Sequence, residues 1–158
     1  MMYLFIGIAF VLGGCASPEY KKQESLFLMM KTPTFKYADL GFMYENENQL
    51  KIELYSSGNA IMALEISERF ICTSTFECLD KKSFNREVLS PYYPSNILFH
   101  ILKGQSILNA EHLKKRSNGF TQHIMKTGEY NIKYEVLNSQ VLFRDTMNDI
   151  VIKLKRLK

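Results

Sequence analysis

From Gln49 onward the chain alternates apolar and polar side chains with a period of two. Ile52 and Leu54 stand against Lys51 and Glu53, and Met62, Leu64 and Ile66 stand against Ala63, Glu65 and Ser67. That spacing puts the apolar members on one face of an extended strand. Ser56-Ser57-Gly58-Asn59 separates the two runs, and its Gly and Asn can adopt the positive φ of a tight hairpin. The carboxyl half repeats the pattern. Residues 120–126 lead to a Thr127-Gly128 turn, after which Ile132, Tyr134 and Val136 oppose Asn131, Lys133 and Glu135. Asn138-Ser139 then turns the chain into 141–144, and residues 145–149 turn it again into Ile150, Ile152 and Leu154 against Lys153 and Lys155. An antiparallel meander with one apolar face follows.

Between these regions the period lengthens. A short strand over 69–72 runs into a cysteine loop, and Asp80 or Ser83 can cap a helix carrying Phe84, Val88 and Leu89, stopped at Ser90 by Pro91. Over 94–104, Ser95 is the N-cap, Ile97, Leu98, Ile101 and Leu102 form a stripe at helical spacing, and Gly104 supplies the stop. Residues 111–118, with Lys114, Lys115 and Arg116 in a run, predict a solvated loop. Residues 18–31 predict a tether that ends in a short helix through Leu26, Phe27 and Met30, with order beginning near Phe35. A sheet with one wet face must cover the other. The predicted fold is therefore mainly β (α+β), a curved antiparallel half-barrel sheet of roughly seven or eight strands wrapped around two short lid helices. A closed lipocalin-like barrel is the second choice, because it lacks the helical insertion.

At 158 residues and 18.4 kDa the chain has room for one domain. Its 46% apolar and 23% charged residues argue against wholesale disorder. No segment reaches the roughly 20 apolar residues of a spanning helix. A formal charge of +4 is too small and too dispersed to imply nucleic acid. A monomer is expected.

The amino terminus changes the picture most. Met1 to Gly14 carry no charged side chain, and the apolar stretch ends in Leu12-Gly13-Gly14-Cys15. Small residues at the two positions before a Cys, with Leu three before it, resemble a bacterial lipoprotein signal, whose Cys is acylated and exposed by cleavage. A plain signal peptide or a buried apolar strand is the competing reading. The leader lacks Lys and Arg, which points to a start codon upstream. Two or three acyl chains, as palmitate or its like, form a stable anchor where one would not. The expected organisation is a signal peptide over 1–14, a lipidated Cys15 with tether over 15–33, and the half-barrel over 34–158. With Cys15 lipidated, Cys72 and Cys78 are left, five residues apart. In an oxidising envelope they read as a structural disulfide, with free thiols or metal and redox chemistry as the alternatives.

The order of these features resembles the LolA/LolB lipoprotein-carrier family, nearest to its lipid-anchored, LolB-like members. The similar stretches are the hairpin Leu50-Lys-Ile-Glu-Leu-Tyr-Ser-Ser-Gly-Asn-Ala-Ile-Met-Ala-Leu-Glu-Ile66, the lid helix Tyr93-Pro-Ser-Asn-Ile-Leu-Phe-His-Ile-Leu-Lys-Gly104, and the final strand from Ile150 to Lys155. The resemblance implies a cavity for the acyl chains of client lipoproteins. Its wall would comprise Met62, Leu64 and Ile66 from the hairpin, Leu98, Ile101 and Leu102 from the lid, and Ile132, Tyr134, Val136, Ile152 and Leu154 from the meander. It also implies a membrane-facing turn at Ser56, Ser57 and Gly58, although Ser57 holds the place where the family carries an exposed Leu. The amino-terminal part is short of the family's sheet by about one strand. The location implied is the periplasmic side of the outer membrane, and the partners are client lipoproteins and a LolA-like periplasmic carrier. The alternative function is a lipid-anchored scaffold or accessory subunit of an envelope complex, with no ligand cavity. No enzyme is expected. His100, His112 and His123 have no metal-ligand spacing, no Gly-x-Ser-x-Gly occurs, and the carboxylates alternate with Lys and Arg on solvent faces. No cofactor is expected either.

Overall fold

Among the described residues, the first strand lies where a tether is expected. The computed structural model describes residues 20–74 and 78–157, so the leader and Cys15 lie outside the described residues. Within them, β1 (Lys22–Lys31) turns Leu26, Leu28 and Met30 inward, each fully buried, and places Phe27 and Met29 on the opposite face. The expected helix through Leu26, Phe27 and Met30 is thus corrected to a strand. Apolar residues on both of its faces blur the period of two, so the run reads equally as a helical stripe.

After a turn at residues 32–35, β2 (Lys36–Glu45) pairs along the whole of β1. It is followed by β3 (Leu50–Ser56) and β4 (Asn59–Ile66), joined as predicted by a two-residue turn with both central residues at positive φ, Ser57 at 50° and Gly58 at 81°. Gly41 on β2 is required by close approach, since a Cβ there would lie 2.0 Å from the Glu53 carbonyl oxygen. The hairpin continues into β5 (Phe70–Thr73) and β6 (Leu79–Asp80), whose connection is closed by Cys72 and Cys78 at disulfide-bonding distance.

The chain then leaves the sheet for α1 (Lys81–Val88) and α2 (Ile97–Lys103). Asp80 caps α1, accepting from the Lys82 and Ser83 amides. The predicted cap of α2 is one residue early: Asn96 occupies the N-cap, and its side chain makes no capping bond because it accepts from Lys81 Nζ at 2.8 Å. Gly104, at φ 69°, ends the helix as predicted. The run 114–116, expected as loop, forms a short exposed edge strand, β7 (Lys114–Arg116). Its three cations leave no apolar alternation to reveal a strand, and pairing with β8 (Gly119–Lys126) creates it. The meander completes with β9 (Tyr130–Leu137), β10 (Gln140–Asp145) and β11 (Ile150–Arg156).

Among the described residues, eleven strands, all paired antiparallel, form one curved sheet in the order β6-β5-β4-β3-β2-β1-β11-β10-β9-β8-β7. The sheet is unclosed: its two edges, β6 and β7, are the strands that flank the helical insertion in sequence. The chain leaves one edge, crosses the apolar concave side as two helices, and re-enters at the other. The core is the space between that segment and the sheet, filled by Leu, Ile, Met and aromatic side chains.

Candidate functional site

The concave wall is built by strand parity. Inward positions of β4 carry Met62, Leu64 and Ile66, those of β9 carry Ile132, Tyr134 and Val136, and those of β11 carry Ile152 and Leu154. On α2, Leu98, Ile101 and Leu102 are fully buried. The structure brings ten of the eleven residues into one solvent-excluded cluster, and Val136 is partly buried against it. In this arrangement they pack as a core with the lid shut. Two open depressions, of about 550 and 530 Å³, lie away from this wall. One runs along α2 past Tyr92, His100 and Ser106, and the other opens on the outer face beside β7. The turn Ser56-Ser57-Gly58 is exposed at a sheet corner, with Ile61 and Leu40 exposed near it.

The inserted segment is fastened to the sheet by polar residues standing at inward-facing positions. Asp145 continues the inward series Val141, Phe143 on β10 and is only 1% exposed. Its carboxylate accepts from the Tyr93 hydroxyl in the loop between α1 and α2, from the amides of Asn131 and Met147 at 3.0 Å, and from Asn148 Nδ2 at 2.6 Å. Burial, then the bond to Asp145, pushes the Tyr93 phenol above its ordinary range, so it stays a neutral donor. Rings of Tyr130 and Phe143 pack against Tyr93.

At the other end, Arg156 continues the inward series Ile152, Leu154. Its guanidinium donates from Nη2 to the carbonyls of Leu102 (3.3 Å) and Lys103 (3.4 Å), the unsatisfied C-terminal carbonyls of α2, and from Nε to Glu24 at 3.0 Å. Burial works to raise the Glu24 pKa, but hydrogen bonds from Lys22 and Arg156 outweigh it and hold the carboxyl below its usual range. The third fastening is Gln122 on β8, 3% exposed. Its amide accepts from Ile107 N and donates to the carbonyls of Ile107 (3.0 Å) and Glu111 (2.8 Å). It grips a segment in which Leu108, Asn109, Ala110 and His112 all have positive φ. Left-handed backbone at non-glycine residues costs about 1–2 kcal/mol each, so it persists only where surrounding contacts dictate it.

Sequence reasoning missed these three residues. The signal that finds them is parity, since each is the polar member of an otherwise apolar inward series. The lid also holds Lys81, 8% exposed, whose ammonium donates to Asn96 and lies 6.0 Å from the Phe99 ring centroid. Burial holds its pKa below the usual lysine range, and burial followed by Lys81 lowers that of His100. No grouping of three or more His, Cys, Asp or Glu positioned to hold a metal ion occurs among the described residues. Neither a scan against protein-family models nor a search of curated proteins finds a match to this chain.

Proposed function

We propose that this protein is a lipid-anchored envelope lipoprotein of the LolB-like type, which takes up acyl chains of client lipoproteins on its concave side and passes them to the outer membrane. The observation that carries the reading is topological. One unclosed antiparallel sheet presents an apolar concave face, and the only chain crossing that face among the described residues is the segment inserted between the two edge strands. Such a lid can part from an apolar wall and be replaced there by methylenes at little net cost, since each buried CH₂ contributes about 0.8 kcal/mol. No covalent step is involved. The apolar stretch ending in Gly13-Gly14-Cys15 supports the anchor and hence the outer-membrane placement. Clients and a LolA-like carrier are the partners this reading calls for.

One observation favours the second reading, an anchored scaffold. The wall residues fill the concavity with the lid shut. Leu98→Asp separates the two. An unpaired carboxylate against apolar walls costs several kcal/mol unless water reaches it. If the lid opens, the variant unfolds cooperatively on heating and loses binding of a fluorescent fatty acid. A folded variant that binds the probe as before overturns the carrier reading, and a chain that no longer folds favours the scaffold. Cys15→Ser tests the anchor separately and is expected to abolish incorporation of labelled palmitate.

A further inference from the structure

The outward face of the carboxyl half carries charge predominantly of one sign. Outward positions on β7–β11 hold Lys114, Arg116, Lys133, Arg144, Lys153 and Lys155, all exposed, and a single carboxylate, Glu135, shares that face. Among the described residues, none of the six lies within ion-pair distance of a carboxylate. The register makes this arrangement costly. Lys133 stands opposite Arg144. Like charges directly opposed in an antiparallel pair are destabilising. Repulsion retained on an exposed surface is relieved by an anionic partner.

The neighbouring strands show what kind of partner. Lys155 pairs with Phe27 and Lys153 with Met29, and the next strand sets Leu40 opposite Phe27. Leu40 is 54% and Phe42 37% exposed on that same outer face. The basic field therefore passes directly into an apolar strip. A soluble acidic protein would answer the cations alone. The surface of an anionic bilayer answers both, with phosphates for the cations and the acyl boundary for the large apolar side chains.

We propose that the convex face docks on an anionic phospholipid bilayer, with the cations of β7–β11 against headgroups and Leu40 and Phe42 at the interface. This contact requires neither the lipid anchor nor an occupied concave side.

Flotation of the full chain with vesicles of phosphatidylcholine, alone or mixed with phosphatidylglycerol, tests it, because any apolar leader binds both and the difference reads the basic face. The chain should prefer the mixed vesicles, and molar salt should erase the preference. Each cation near such a surface contributes about fivefold to partition, so Lys133→Glu with Lys153→Glu should remove about 25-fold or more of the preference. The unfolding temperature should not fall, because Lys133→Glu sets a carboxylate opposite Arg144. Arg144→Gln, which only removes charge, should give a smaller loss of the same kind and serves should the double variant not fold. Leu40→Ser should weaken binding to the mixed vesicles and leave its salt dependence intact. Equal binding of the unaltered chain to both vesicle types, or full preference in the charge variants, overturns the proposal. So does binding to soluble polyglutamate in place of vesicles, which would make the face an acidic-protein site.

Discussion

Strands β1–β6 and β7–β11 each line the concavity with apolar side chains, Leu28, Met43, Ile52 and Leu64 among the first and Ile132, Tyr134, Phe143 and Ile152 among the second. They differ in what interrupts those rows. In the carboxyl half, Asp145, Arg156 and Gln122 stand at inward positions, and each bonds to the segment that crosses the concavity. In the amino half, Glu24, Asp39 and Glu45 hold inward positions; Glu24 binds Arg156, the Asp39 carboxylate accepts from Leu40 N on its own strand, and Glu45 alone of the three approaches the lid. There the lid's polar contacts are at its end, where Lys103 Nζ reaches the Asn46 carbonyl at 3.1 Å and Glu45 at 3.6 Å. One half is bolted to the lid at several points by directional bonds with buried groups, and the other meets it through dispersion and apolar burial except at the Lys103 end. The apolar stretch of the amino seam can separate and close over an acyl chain at the cost of the Lys103 contacts alone, whereas parting the carboxyl seam would strand the Asp145 carboxylate and the Gln122 amide. The proposed uptake therefore belongs to the seam between α2 and the amino half.

The largest expected effect breaks the bolted side. Asp145→Ala removes the acceptor for the Tyr93 hydroxyl, two backbone amides and the Asn148 side chain. Leaving buried donors unmet costs about 1–3 kcal/mol each, so the total should be about 3 kcal/mol or more. Lys103→Ala, the matching change on the amino seam, should cost less, about 1–2 kcal/mol, because it removes a single largely buried donor. Urea unfolding of the two variants measures the contrast. Equal losses would mean that the lid is held alike on both sides.

Next in size is a paired truncation. Leu64→Ala in the amino half and Ile132→Ala in the carboxyl half each remove a fully buried branched side chain and should each cost about 2–5 kcal/mol. If the amino seam takes acyl chains, a long-chain fatty acid should restore stability to Leu64→Ala, by about 2.7 kcal/mol at a hundredfold excess over its dissociation constant. Ile132→Ala should gain less. Thermal unfolding with and without the fatty acid reads this directly, and equal rescue would place the separable seam elsewhere or nowhere.

The comparison also explains what the sequence made legible. The hairpin at Ser57-Gly58, the carboxyl meander and both helices were readable because one face of each is wet and the other apolar, so the period stands out. β1 was not, because Phe27 and Met29 put apolar side chains on its outer face as well, and β7 was not, because Lys114-Lys115-Arg116 has no apolar member. The concave apolar wall is visible as a pattern of alternation. The fastenings are visible only as exceptions to that pattern: Asp145, Arg156 and Gln122 hold inward places that alternation assigns to apolar residues. Their partners, Tyr93, Leu102 and Ile107, are distant in sequence, and no local rule connects them.

A smaller effect concerns the edge of the amino half. The Cys72–Cys78 closure lies on β5 and just before β6, away from both seams. Constraining so short a loop contributes about 2 kcal/mol in the chain-entropy model. Reduction should lower the unfolding free energy read from a urea titration by that order without changing fatty-acid binding. Thiol labelling of the denatured, unreduced chain should find both cysteines blocked, and a loss of probe binding on reduction would show that the edge helps to shape the seam.

The smallest effect is a dependence on pH at the junction of the two halves, where Glu24 of β1 meets Arg156 of β11. Its carboxyl titrates below the usual range, because the Lys22 and Arg156 bonds to the ionised form outweigh burial. A group with a depressed native pKa binds its proton less readily folded than unfolded. Its contribution is therefore fully present above the ordinary carboxylate range and is lost as pH falls through the depressed native value. Arg156 stays charged throughout, so acidification removes Glu24 as its partner while the guanidinium still holds the Leu102 and Lys103 carbonyls. Stability of the unaltered chain should then decline on the acid side more steeply than that of Glu24→Gln, and the two should differ by a constant amount at neutral pH. Fatty-acid binding should respond to neither change, because the bolt survives. Parallel acid limbs in the two chains would show that the Glu24–Arg156 pair contributes nothing across the junction.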